Sequence, residues 1–158
     1  KTHPESKGMG TTLVMAILTK NYLLFGNVGD SSGFVLKDDK LHKLTYDHTL
    51  VNLLVSAGEL TKEEASNHPK KNVLMKALGA STEIDVDIFD CDMDITEILL
   101  SSDGLTNMLE KEQIEKVLLG EGLVEDKVIK LIKKANNRGG TDNISVAYLV
   151  REEEGDDK

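Results

Sequence analysis

The sequence predicts an α+β fold built mainly from antiparallel strands, and three observations carry that expectation. Strand-like segments come in a block near the start of the chain. Helix-like segments follow in blocks of their own, instead of alternating with single strands as in a doubly wound sheet. No Gly-rich phosphate loop joins a strand to a helix, since "GGTDN" precedes a strand and lacks the Lys of a P-loop. The 158 residues suffice for one domain with a real core, and the apolar fraction of 39% is ordinary. With no Trp, three Tyr and three Phe, that core has to be aliphatic.

Each element follows from its own pattern. "KTHPESKGMG" reads as a polar entry loop. Residues 11–18 are continuously β-compatible, and "YLLFGNV" at 22–28 is a second buried strand. Phe34 to Leu36, a turn over Asp38–Asp39, and Leu41 to Thr45 form a hairpin. Leu50, Val51, Leu53 and Leu54 suggest a short helix stopped by Gly58. Thr61 and Glu64 have capping-box spacing and open a second helical turn that His68–Pro69 ends. Residues 47–70 therefore form a small helical insert between β elements. "NVLMKALG" is expected to be a strand, and "IDVDIFDCDM" at 84–93 another, with Ile84, Val86 and Ile88 on one side. Residues 96–101 form a buried strand. A helix then runs from Leu105 to about Leu119, and Val124, Val128, Leu131, Ile132 and Ala135 mark a second at helical spacing. The last strand is "NISVAYLV", 143–150.

Charge narrows the function. The net charge is −9, of which "REEEGDDK" at 151–158, two bases against five acids, supplies −3. The remainder argues against nucleic acid as the main partner, because phosphate backbones need basic patches. It is compatible with binding divalent cations. The longest apolar stretch, "LVMAIL", is too short to cross a bilayer, so membrane insertion is not expected. Cys91, the one cysteine, makes no internal disulfide and points to a reducing compartment, and the chain is expected to be cytoplasmic. The acidic tail, 151–158, is expected to be disordered.

Three aspartates stand at strand ends: Asp30 in "GNVGDSSG", Asp103 in "LLSSDGLTN" and Asp142 in "RGGTDNISV". In an antiparallel sheet the end of one strand lies beside the start of its neighbour, so all three could gather at one rim. Each is also a natural turn or cap residue. If they gather, like charges raise one another's pKa unless a cation sits among them. Oxygen ligands without His or Cys suit Mg²⁺ or Mn²⁺.

At "GMGTT" (8–12), "NVGDS" (27–31), residues 44–79, "SSDGLTN" (101–107) and "RGGTDNISV" (138–146), the chain resembles the metal-dependent protein phosphatase (PPM, type 2C) family. Its nearest resemblance is to bacterial serine/threonine phosphatases that oppose membrane-anchored kinases. Each motif is short, but five in order span nearly the whole chain. The resemblance implies two packed antiparallel β-sheets flanked by helices, in a phosphatase domain over 1–150 with a mobile flap at about 47–79. It implies hydrolysis of phosphoserine and phosphothreonine in proteins phosphorylated by a serine/threonine kinase, by a metal-activated water and without a covalent phosphoenzyme. By motif, Asp103 and Asp142 match ligands of a Mn²⁺ or Mg²⁺ pair, and Asp30 with Asp103 matches a third ion. No side chain of this chain is assigned as nucleophile.

Two departures qualify this. Ser32 stands where the family usually has Arg, which removes a cation expected near the cleft rim. The family's N-terminal third, with the Arg that grips phosphate, an acidic pair and the Asp that bridges the metals, has no counterpart before "KGMGTT". These 158 residues alone are therefore expected to show weak or no turnover, to bind a divalent ion, and to self-associate through exposed sheet edges. The alternatives are a non-catalytic regulatory or binding domain and an inactive truncation fragment.

Other candidates read as structural. His3, His42, His48 and His68 are expected in loops or hairpin edges, and His48 in "DHT" matches a family motif read as structural. Asp85, Asp87, Asp90, Asp92 and Asp94 lack the Gly and Glu of a calcium loop and read as a solvated strand face. Met75 and Met108 are expected in the core, and Cys91 buried or half-buried and not a nucleophile.

Overall fold

The computed structural model describes residues 8–81, 83–92 and 94–151. In chain order the elements are β1 (Leu13–Leu18), β2 (Leu23–Val28), β3 (Ser32–Lys37), β4 (Lys40–Lys43), α1 (Leu50–Ser56), α2 (Lys62–Ser66), β5 (Asp87–Cys91), β6 (Glu97–Ser101), α3 (Asp103–Thr106), α4 (Lys111–Leu118), α5 (Val124–Asn137) and β7 (Val146–Val150). They form two antiparallel sheets, ordered β1-β2-β5 and β4-β3-β6-β7. The expected α+β sandwich is present.

Period-two alternation builds both cores. Leu23 and Phe25 on β2 meet Val35 on β3 and Ile98 on β6 between the sheets. The opposite face of the larger sheet turns Phe34, Leu36 and Leu99 toward the helices, where Leu105, Ile114, Leu118, Leu131 and Ala135 close a second core. The stripe expected on the last helix is the one α5 buries, through Leu131 and Ala135. The Asp38–Asp39 turn has both residues at positive φ (50° and 57°), the conformation a two-residue hairpin requires. No helix among the described residues is long and apolar enough to cross a membrane.

Several expectations need correction. "NVLMKALG" forms no strand; it runs as irregular backbone touching neighbours at two isolated bridges, Thr49–Leu74 and Thr11–Leu78. The helix expected from Leu105 to Leu119 breaks into α3 and α4 at Glu110, whose N–H donates to the Gln113 side-chain oxygen (3.1 Å) as a new helix starts. Strand β5 begins at Asp87, not Ile84, and it is Phe89 and Cys91 that pack toward the core while Ile88 faces solvent. Met75 is exposed on the irregular segment, whereas Met108 packs against the helix-side core as expected. His3 and residues 152–158 lie outside the described residues.

Candidate functional site

Asp103 is the first residue of α3, immediately after β6 ends at Ser101. Ser102 fastens this junction to the approach of β7. Its N–H donates to the Ser145 carbonyl (3.0 Å), its hydroxyl donates to the Asn143 carbonyl (3.2 Å), and that hydroxyl accepts from the Ser145 N–H (3.0 Å). Gly104 permits the approach, since a Cβ there would lie 2.3 Å from the Asn143 carbonyl oxygen. These contacts bring Asp142 into the electrostatic reach of Asp103. Asn107, one turn along, donates to Asp103 Oδ2 (3.1 Å) and orients the carboxylate.

Asp30 enters from the other sheet, two residues past the end of β2. Gly29 has φ +107°, and a Cβ on it would lie 2.3 Å from Thr12 Cγ2, so the turn requires glycine. The Thr12 and Ser31 hydroxyls share a hydrogen bond of 2.8 Å on the far side.

The three aspartates are brought together unequally. Asp30 and Asp103 line one cleft of about 450 Å³, walled by Tyr46, Asp47, Asn107 and Glu110, with Lys62 contributed by the helical insert and Lys71 by the segment just after it. Asp142 does not line it, and its Oδ1 accepts from the N–H of Asn143 (2.7 Å). The electrostatics nevertheless link all three through Asp103. Burial, then the charge of Asp103, raises the Asp30 pKa above the ordinary carboxylate value; burial, then the charge of Asp142, raises that of Asp103. Among the described residues no three His, Cys, Asp or Glu side chains converge tightly enough to cage an ion. The donor chemistry still fits a hard divalent cation. Crowded oxygen donors with raised pKa values carry negative charge that a cation would offset, and Mg²⁺ commonly takes one or two carboxylates and keeps waters elsewhere.

Some assignments differ from those the sequence suggested. Ser32 is not at the rim. It is fully buried on the helix-side face of β3, in register with Ser101, and its hydroxyl has no partner. His48 has the structural role read from "DHT" but is buried rather than at an exposed loop or edge: Nδ1 accepts from the Gly29 N–H (3.0 Å). Its Nε2 is 3.0 Å from Asp87 Oδ2, at ion-pair distance but without an aligned hydrogen bond. Asp87 is thus not a solvated strand residue; His48 and then Lys76 hold its pKa below the usual range. Asn107 could have been found from its i+4 spacing to Asp103 on a helix. Nothing local in "DHT" signals that His48 is buried.

The chain belongs to the protein phosphatase 2C family, whose model matches residues 1–142. It is 46% identical over 148 residues to the serine/threonine phosphatase stp of Listeria welshimeri, covering 93% of this chain and 59% of that protein. Its fold matches the crystal structure of serine/threonine phosphatase Stp1 from Staphylococcus aureus with a TM-score of 0.89 at 35% identity, covering 94% of this chain and 59% of that one. It also matches a catalytic domain of the phosphatase PstP in complex with 2 manganese ions, with a TM-score of 0.74 at 34% identity over 89% and 58% of the chains. The chain therefore spans about three-fifths of the length of the relatives it matches.

Proposed function

We propose that this chain serves a serine/threonine protein phosphatase activity that hydrolyses phosphoserine and phosphothreonine on substrates of a serine/threonine kinase. The observation that carries the reading is the position of Asp103. It shares a cleft with Asp30 and is charge-coupled to Asp142, within a chain of the 2C family. Asp103, Asp142 and Asp30 would hold Mn²⁺ or Mg²⁺, two ions and a third through Asp30. Bound there, the ions would lower the pKa of water and neutralise phosphoryl oxygens.

The chain's own residues bind and orient. Asn107 fixes the Asp103 carboxylate. Lys62 and Lys71, which make no ion pair among the described residues, give the insert side of the cleft positive charge toward a phosphate-bearing peptide. The reading assigns residues 1–150 to the phosphatase domain and 47–79 to a flap that governs access to the cleft. It assigns the protein to the cytoplasm on the strength of its lone, unpaired Cys91.

A second reading, a family member that binds phosphoproteins without turnover, draws support from the absence of three converging ligands among the described residues. Hydrolysis of p-nitrophenyl phosphate with Mn²⁺ separates the two. It is measured on these 158 residues and on a chimaera completed with the part of the Listeria relative that they do not cover. The phosphatase reading expects Mn²⁺-dependent turnover in the chimaera and its loss on Asp103→Ala. A chimaera that binds Mn²⁺ yet turns nothing over establishes the binding reading instead.

A further inference from the structure

His48 is a buried polar side chain that the proposed chemistry does not use, and it lies against the turn that carries Asp30. We propose that His48 is a positioning residue that aims the Asp30 carboxylate, acting through the hydrogen bond that its Nδ1 accepts from the Gly29 amide. The consequence for metal binding rests on the phosphatase reading above.

Both polar groups of Gly29, the residue before Asp30, are committed to His48. The Gly29 N–H donates to His48 Nδ1 (3.0 Å), and the Gly29 carbonyl accepts from the His48 backbone N–H (2.9 Å). Asn27, fully buried, adds a donor to the same carbonyl at 3.3 Å and reaches the Tyr46 carbonyl at 3.0 Å. An Nδ1 that accepts leaves the ring proton on Nε2, and that nitrogen faces Asp87 Oδ2. Lys76, 3.3 Å from Asp87 Oδ1, holds the acid in turn. The ring therefore has an acid of β5 3.0 Å from one edge and presents an acceptor to Gly29 at the other.

That acceptor matters because the turn has little freedom to compensate. Gly29 adopts a left-handed φ and abuts Thr12, so it cannot shift toward β1 to find another partner. A buried amide left without an acceptor costs more than the bond itself contributes, and the turn would have to move to recover one. Moving Gly29 moves Asp30. The His48 carbonyl also accepts from Met75 N (2.8 Å), next to the Thr49–Leu74 bridge. One residue thus joins the Asp30 turn to both stems of the helical insert. Partners that orient a ligand without touching the ion commonly change affinity by about 10- to 100-fold when removed.

The test is Mn²⁺ affinity, read from the electron paramagnetic resonance signal of the free ion, on the 158-residue chain and four variants, with thermal melting recorded in parallel. His48→Asn places an amide oxygen near the position of Nδ1. His48→Gln reaches toward Asp87 and leaves the Gly29 amide unserved, and His48→Ala removes both. Asp30→Ala defines the loss from removing the ligand itself. The expected result is about tenfold or greater weakening in His48→Gln and His48→Ala, with His48→Asn within about threefold of the unsubstituted chain. Melting temperature should fall in His48→Gln and His48→Ala, where the buried amide is left unserved, and the parallel melts establish that each variant is folded where binding is read. Equal affinities at position 48, or a loss in His48→Asn as large as in His48→Gln, overturn the inference and leave the metal reading standing. A chain that takes up no Mn²⁺ overturns the metal reading, and this inference with it.

Discussion

The two sheets contribute to the same cleft from very different surroundings. The central strands of the four-stranded sheet, β3 and β6, are buried on both faces, against β2 on one side and α3, α4 and α5 on the other. The three-stranded sheet is buried on its inner face only, and Leu13, Met15, Ile17 and Ile88 stand exposed on the outer one. Asp103 grows out of the first sheet, at the end of a strand pinned between two neighbours and under a helix layer. Asp30 grows out of the second and is secured locally, by His48, Asn27 and the Thr12–Ser31 pair. A ligand can be placed either by the bulk of a core or by a few directed hydrogen bonds.

The sharpest way to break this contrast is to cut the same kind of atoms from each side. Leu131, fully buried beneath the four-stranded sheet, should lose about 2–5 kcal/mol of stability on Leu131→Ala, because the cavity cannot collapse within a packed layer. Ile88, 71% exposed, should lose no more than about 0.5 kcal/mol on Ile88→Ala. Urea denaturation midpoints compare the two directly. Equal losses would mean that something covers the outer face in solution.

The well-packed half was also the legible half. Strands β2, β3 and β6 and helix α5 declared themselves through apolar periodicity, because each buries a regular face. "NVLMKALG" has the apolar content of a strand but pairs only at isolated bridges, and composition cannot report missing partners. The α3–α4 break falls at Glu110, a position without the Ser, Thr, Asp or Asn that usually marks a helix start. At the site, the Gly and Ser residues around Asp30, Asp103 and Asp142 marked the positions. The burial of His48 arises from segments 29, 75 and 87, far apart in sequence, and no local signal encodes it.

A second prediction concerns charge at the end of the larger sheet. The Asp103 pKa is raised in the folded chain, by burial first and by Asp142 second, so ionisation disfavours the ion-free fold. That penalty is present in full above the raised folded-state pKa, shrinks as pH falls below it, and is gone only below the ordinary value of 3.8, where the carboxyl is protonated in both states. Asp103→Asn should therefore raise the melting temperature of the ion-free chain at pH 7 by a few degrees and leave it unchanged at acidic pH. It should also weaken Mn²⁺ binding. A lower melting temperature at pH 7 would show that the hydrogen bonds from Asn107 and the Gly104 backbone outweigh the crowding.

The smallest expected effect on the global fold lies in the helical insert, whose link to both sheets is thin. Helix α2 has five residues and is held at its start by a full capping box: Thr61 Oγ1 accepts from Glu64 N (3.2 Å), and Glu64 Oε2 accepts from Thr61 N (2.8 Å). So short a helix has little propagation energy of its own, and the cap supplies much of what keeps Lys62 and Ala65 on the cleft wall. Thr61→Ala should cost about 1 kcal/mol of local stability. Because the insert buries little against the sheets, amide exchange at residues 62–66 should accelerate about fivefold while the global urea midpoint barely moves. A matching drop in the global midpoint would show that the insert unfolds together with the sandwich, and that the cleft wall is as rigid as its floor.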